Sequence, residues 1–531
     1  MIARKSFLIV SSQFLIRFLG WVGLVVLAKL WGSFAPEALG IIGFAMAFLA
    51  LFNVISDLGF SSAHIKRVSE GKDLGSCIGT FAFIKILLTS LMIIIIFLSI
   101  FIWKNVLRQG FYDATTESVI LVFLIYYIFA SLQRVASITF EARREVVKQQ
   151  ITAMFEGIVK IPLFILVALA GVTYVGINPA FNWPEALSSI QIFIASHAVG
   201  SLAMAYVFGI MATFFIGLFF LRKYPIKRPN FQLFKSYFSF ALPILMLSII
   251  GVLTVNIDKI MIGFFWTSTE VGYYFTVQQI LNIILIFSTA ISTVLFPTLS
   301  AYHSKNNFEK IKQTTHLAER YISMTMLPPL VVIIVFVNPV INIMLSNAFL
   351  PAAPALIFLA FYIFILSLRT PYFSLISGID RPDIAAKVGI AICVCNVVLN
   401  FLFIPKWGLL SPFGIFGPTG AAIATLLSSA VGFTGLRLAA KKLTGIKLLQ
   451  SHTPRHIIAS LFMAVSLYYI GTFFETIQWY HLAAFSGIGL TIYLSILFLL
   501  KEFKKPDLMF FLNMVHPKEM FSYIKSELKE K

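Results

Sequence analysis

The sequence predicts an all-α, polytopic membrane protein with about 14 transmembrane helices, and three observations point to it. Of 531 residues, 59% are hydrophobic and only 12% charged, with a mean hydropathy of +0.91. A soluble protein carries about 25% charged residues, so this chain lacks the polar surface of a soluble enzyme, a nucleic-acid-binding protein or a disordered scaffold. Apolar runs long enough to cross a hydrocarbon core of about 30 Å as helices recur from end to end. The basic residues between those runs fall on alternate sides.

The first run, Phe7–Trp31, follows Arg4 and Lys5 and far exceeds the apolar stretch of about 7–15 residues in a cleaved signal, so it is read as a retained span. The others are Leu39–Ala63, Cys77–Trp103, Ser118–Phe140, Ile151–Val175, Ser196–Leu221, Tyr237–Ile257, Val271–Pro297, Tyr321–Leu345, Ala352–Ser377, Ile384–Ile404, Pro418–Leu438, His456–Phe474 and Leu482–Leu500. The runs are continuous rather than alternating, which favours helices over barrel strands. Putting the N-terminus in the cytoplasm gives 31 cations to the inner loops and tail and 4 (Lys104, Arg108, Lys259, Lys406) to the outer side. The positive-inside rule then sets both termini in the cytoplasm, in the plasma membrane, and accounts for the net charge of +19 without nucleic acid.

A weak repeat divides the chain. A shift of 235 places Lys85 on Arg320, Tyr127 on Tyr362 and Arg134 on Arg369; a shift of 232 places Glu37–Gly40 near Thr269–Gly272. Such parallel repeats, with a site between the halves, are common in transporters. The expected organisation is therefore a six-helix bundle in 1–235, a second in 236–438, two added spans in 439–500 and an amphipathic tail in 501–531 on the inner membrane face. Cys77, Cys393 and Cys395 form no disulfide framework or metal-ligand set, and no metal or cofactor motif is evident.

Charges inside the spans carry the functional reading. Six cations fall there (Arg17, Lys29, Lys85, Arg134, Lys160, Arg369) against two acids, Asp57 and Glu156. Each costs about 2.5–3.5 kcal/mol at a helix centre and usually faces a cavity or a partner. Lys29, Arg134 and Arg369 lie near span ends, where snorkelling is open to them. Glu156 and Lys160 share a helix face and can neutralise each other. Arg17 lies about 15 Å into its span, with Gln13 and Gly20 on the same face, and either pairs with Asp57 or binds a ligand. Lys85 has no acid in reach on its own helix. A cavity with surplus positive charge attracts an anion, and the planar fork of Arg suits phosphate.

Several motifs then resemble those of the polysaccharide and oligosaccharide flippases. They are Asn256-Ile-Asp258-Lys259-Ile-Met-Ile-Gly263 with Val271-Gly272-Tyr273-Tyr274; Phe296-Pro297-Thr-Leu-Ser300; Asn396-Val-Val-Leu-Asn400 through Pro405; Gly417-Pro-Thr-Gly420-Ala-Ala-Ile-Ala-Thr425; and Asp57-Leu-Gly59. The resemblance implies the fold of the multidrug/oligosaccharidyl-lipid/polysaccharide exporter superfamily, two six-helix bundles around a central cavity. It also implies a polyprenyl-(pyro)phosphate-linked oligosaccharide as cargo. The stretch Gly408–Phe416 and the loop with Asn178–Pro184 are longer than that pattern.

The sequence thus predicts a flippase, not an enzyme, with membrane lipids and glycan-assembly enzymes as companions. A lipid II-type flippase and a cation-coupled multidrug antiporter are the alternatives. Arg17, Lys85, Lys160, Arg134 and Arg369 are the expected phosphate ligands. Asn396 and Asn400 are expected to touch sugar or to bond between helices; Asp57, Asp258, Lys259, Gly263 and Gly420 are expected to be structural or gating, with Asp258–Lys259 an exposed pair near the outer face.

Overall fold

The computed structural model describes residues 2–106, 111, 114–181, 183–447, 452–504 and 507. Most of the amphipathic tail expected in 501–531, and the side chain of Gln13, lie outside the described residues. The described chain forms helices α1 (Ile2–Trp31), α2 (Ala35–Asn53), α3 (Phe60–Ser69), α4 (Leu74–Phe101), α5 (Ala114–Ala142), α6 (Val146–Ala170), α7 (Glu185–Ser196), α8 (Ala198–Leu221), α9 (Phe231–Phe265), α10 (Ser268–His303), α11 (Phe308–Val335), α12 (Val337–Met344), α13 (Ala353–Gly378), α14 (Pro382–Phe403), α15 (Gly417–Thr444), α16 (His452–Thr472) and α17 (Trp479–Leu499).

Eleven runs among the described residues are helical, apolar and long enough to span a membrane. One of them, Leu15–Asn53, covers both α1 and α2, which Gly32 (φ +50°) separates. With α10 and α16, at 36 and 21 residues, each expected span has its helix. Local chemistry sets several ends. Prolines near the first turn, where a missing N–H is harmless, open α2, α13, α14 and α15. Asp73, Asn230 and Asn307 cap α4, α9 and α11, and Thr267 with Glu270 forms a capping box on α10.

Span 2 is not one helix. It stops after Asn53 and restarts at Phe60, because Leu58 (φ 46°) and Gly59 (φ 87°) are both left-handed. A leucine there is costly, and the break leaves the Ser56 carbonyl and the Asp57 carboxylate free to meet other helices.

Two glycines position the bundles. A Cβ on Gly40 (α2) would overlap the Ser268 carbonyl of α10, and one on Gly272 (α10) would overlap the Pro36 carbonyl of α2. The two contacts are reciprocal at a shift of 232, as at an isologous interface, and Gly43 meets Phe275 at the same shift. α2 and α10 therefore run parallel. So do α1 and α6, with Ile16 on Gly157 and the Trp31 indole donating to Ala168 O at 3.2 Å.

The division expected at residue 235 falls inside α9. The opening turns of α9 pack on α3 and α4, where Tyr237 donates to or accepts from His64 Nδ1 at 2.8 Å and joins the cluster of Phe60 and Phe81. The far end of α9 packs on α14. α16 and α17 lie against α11, with Phe336 stacked on Phe485 and Ser323 bonded to His456 at 2.7 Å.

A clasp after α17 fastens this pair. Arg320 donates to Glu502 Oε1 (2.6 Å) and Glu502 O (2.6 Å), and to both Asp507 oxygens (2.8 Å each); Arg455 reaches Glu502 Oε2 at 2.8 Å. Arg320 holds the Asp507 carboxyl below its ordinary range. Burial pushes Glu502 upward, but Arg320 and Arg455 outweigh it and hold it low as well.

Two predictions arise here. Gly40→Ala and Gly272→Ala will each lower the thermal stability of the detergent-solubilised protein by about 1–3 kcal/mol. The double change will cost little more, since either one parts the same helices; Gly20→Ala, with open space around it, will cost nothing. For the clasp, depressed carboxylate pKa values mean stabilisation that is present at neutral pH and lost as pH falls through them. Amide-exchange protection of 500–504 should therefore persist at pH 7 and fade only in acid below the ordinary value of about 4, whereas Arg320→Met should lack it at pH 7.

Candidate functional site

The break in span 2 creates the first site feature. Lys85 of α4 is fully buried, and its ammonium donates to Asp57 Oδ1 (2.5 Å) and Ser56 O (3.0 Å). Ser61 also donates to Asp57. Arg134 of α5 stands 3.7 Å from the other Asp57 oxygen with 44% of its side chain exposed. Lys85, expected to hold phosphate, is thus paired with a carboxylate in this structure, and Asp57 meets Lys85 and Arg134 where Arg17 was one expected partner. Asp57 lies 28 residues from Lys85, so the pair could not be read along one helix. Arg134 keeps an open face.

Arg17, exposed on α1, donates to the Asn282 carbonyl of α10 at 3.1 Å, its one hydrogen bond among the described residues. Lys29 donates to the Asn342 carbonyl in the last turns of α12. On α6, Lys160 lies 3.2 Å from Glu156, with its ammonium 4.8 Å above the Tyr206 ring, and Tyr126 donates to Glu156 at 3.4 Å. Gly157 and Gly209 let α1 and α8 close on this face of α6, so Ile16, the neighbour of Arg17, rests against Gly157 beside Glu156. Arg369 of α13 is half-buried against Gly432 of α15 and has no ion pair or hydrogen bond among the described residues.

The motif residues of the second bundle converge on one buried network. Asp258 Oδ2 accepts from Tyr274 (2.6 Å) and Thr425 (2.8 Å), and Oδ1 accepts from Asn400 (2.6 Å). Asn396 bonds Thr425 at 3.3 Å and accepts from Asn400 at 3.2 Å. Both asparagines are buried and bond between helices in this network, one of the two roles expected of them, while Asn400 Oδ1 has no partner among the described residues. Asp258 and Lys259 are buried too, against the exposed outer pair expected from the loops; α9 simply extends to Phe265. Gly263 gives room to the Phe44 ring, and Gly420 to the Phe403 carbonyl.

Sequence reasoning missed Glu319. α11 begins at Phe308, more than three turns before the apolar run, and buries this carboxylate where Tyr372 donates at 2.6 Å and Arg437 lies at 3.2 Å. Its signal was available, since Glu319 sits beside Arg320 just ahead of that run. The sequence count of six cations to two acids therefore changes. Four carboxylates lie inside, and each has a donor or cation; Arg17, Lys29, Lys259 and Arg369 have no carboxylate partner among the described residues. No group of three His, Cys, Asp or Glu suited to a metal occurs among those residues.

Fourteen spans, reciprocal bundle contacts and an interior with surplus cations define a polytopic membrane transporter. The pattern of the family described as "Polysaccharide biosynthesis protein" matches residues 26–178 and 183–354, and the chain belongs to that family. It is similar to the "Probable low-salt glycan biosynthesis flippase Agl15" of Haloferax volcanii, 24% identical over 81% of each chain. Among solved structures it resembles lipid II flippase MurJ in an inward closed conformation (TM-score 0.69, 17% identity, 96% of this chain and 100% of that one). It also resembles an inward-facing multidrug resistance MATE family transporter of the MOP superfamily (TM-score 0.60, 15% identity, 80% and 96%). These structural likenesses concern the fold.

Asp57 and Lys85 supply a test. Asp57→Asn strands a fully buried ammonium and should cost about 3–5 kcal/mol of thermal stability. Lys85→Met leaves Asp57 near Arg134 and should cost less. The double variant should recover much of the loss; additive single effects would show that the pair is not coupled.

Proposed function

We propose that this protein is a flippase that carries a polyprenyl-phosphate- or pyrophosphate-linked oligosaccharide from the cytoplasmic to the outer face of the plasma membrane, for surface polysaccharide or glycoconjugate synthesis. The observation that carries the reading is the set of span cations left without carboxylates, with Arg17 the most central of them. An isolated carbonyl is a weak partner for a guanidinium, and a phosphate offers it two charged acceptors. Arg134 has an exposed face on the basic side of Arg17 and is the natural first contact. Every interior carboxylate already has a donor, which favours an anionic cargo over a cationic drug.

Transport proceeds by alternating access, with 1–235 and 236–438 rocking about the α2–α10 contact while 439–500 rides on the second bundle through the Arg320 clasp. Both termini lie in the cytoplasm by the positive-inside rule. The charge travels with the lipid phosphate, so an inside-negative potential assists export by about 2.3 kcal/mol per charge per 100 mV. Glycan-assembly enzymes would supply the cargo and take it onward; the chemistry belongs to them, and this chain contributes binding and movement.

The direct test is transport of a fluorescent polyprenyl-diphosphate-linked N-acetylglucosamine by purified protein in vesicles. Arg17→Ala should insert normally and lose most transport, and Arg17→Lys should keep a fraction, because an ammonium lacks the paired geometry. A well-folded Arg17→Ala protein with full activity would overturn the assignment.

A further inference from the structure

Lys259 is the interior cation whose surroundings are least expected. Only 5% of it is exposed, yet its ammonium donates to two neutral acceptors, the Val255 carbonyl of its own helix (2.9 Å) and Gln278 Oε1 of α10 (3.2 Å). An ammonium has three N–H donors, and the third has no acceptor among the described residues. Its neighbour Asp258 acts on it only through space and makes no salt bridge with it, for that carboxylate is turned into the network of Tyr274, Thr425 and Asn400. No carboxylate among the described residues lies within ion-pairing distance. A charge so placed is expensive and usually functional.

Its position says what it could serve. Val255, Lys259 and Gly263 share one face of α9 at a spacing of four. At one end Val255 is exposed; at the other, Gly263 lies beneath the Phe44 ring of α2, where the two bundles meet. Lys259 is thus one turn inside the closed junction. It lies about 9 Å from the outer end of α9, whereas Arg17 lies about 21 Å from the outer end of α1. Parting of α2 from α9 would uncover Lys259 before anything deeper.

We propose that Lys259 is a second anion station, which takes the phosphate group of the lipid-linked cargo on the outer side of Arg17 as the bundles part. This rests on the flippase reading above and adds a residue and a step to it. Phosphate could equally come from a membrane-lipid head group; the cargo phosphate is the one proposed, because Lys259 lies on the inner side of the junction and not at the lipid surface.

The test compares Lys259→Met and Lys259→Arg with wild type, using the fluorescent polyprenyl-diphosphate-linked N-acetylglucosamine in vesicles of phosphatidylglycerol and, separately, of phosphate-free galactolipid. Lys259→Met should fold with unchanged or higher thermal stability, since it removes a buried ammonium that has no salt bridge among the described residues. Its maximal transport rate should fall about tenfold or more while the half-saturating cargo concentration on the inner side stays near wild type, the pattern of an interaction made after initial binding. Lys259→Arg should keep most of the rate. Full transport by Lys259→Met, or lowered stability that accounts for its loss, would overturn the proposal, as would a difference confined to phosphatidylglycerol vesicles. If wild type itself fails to move this cargo, the flippase reading falls; if wild type moves it and Lys259→Met moves it equally, only the second station falls.

Discussion

An ammonium with no exposed surface can sit in an apolar bundle only if a carboxylate and a carbonyl meet it there. For Lys85 these are Asp57 and Ser56, and both are available only because span 2 breaks at Leu58 and Gly59. The rest of the first bundle depends on that arrangement. The strained turn is held by the ion pair, the ion pair needs the turn, and Arg134 is stationed at the pair's edge with an open face. A short Asp-Leu-Gly signature thus has a physical meaning: it ends a helix inside the membrane and delivers an anion to a cation on another span.

The same economy orders the second bundle. Residues scattered over about 170 positions, Asp258, Tyr274, Asn396, Asn400 and Thr425, close into one hydrogen-bonded network that leaves no charge of Asp258 unmet. Buried polar groups in hydrocarbon must be satisfied, and a carboxylate with three donors is. The cations that remain outside such networks are then the informative ones. Surplus positive charge is a property of which cations escape pairing, and less of how many the spans contain.

Between the bundles, small residues do what side chains cannot. Gly40 and Gly272 bring the α2 and α10 backbones into contact, each at the place its repeat partner occupies on the other helix. Close backbone contact of this kind is how membrane helices pack without a hydrophobic driving force. It leaves the bundles joined along a narrow seam, with Phe44 over Gly263 beside it, and that is a contact two rigid bodies can make and break.

The spans and their number could be read directly from the sequence, because hydropathy and helix rise are local properties and each span satisfies its own backbone; the break at Leu58 and Gly59 could not, since Leu39–Ala63 reads as a single span. The repeat match of Gly40 with Gly272, the motif resemblance and the pairing of Glu156 with Lys160 four residues apart were likewise on the line of the chain. The rest depended on how each helix is rotated about its axis and which neighbour it faces. That rotation gave Lys85 to Asp57 and Arg17 to the Asn282 carbonyl, buried Asp258, Lys259 and Glu319, and turned Asn396 and Asn400 toward Thr425 and Asp258. Sequence determined which charges enter the membrane; only tertiary structure decided which of them are neutralised there, because an ion's partner is set by distance in space.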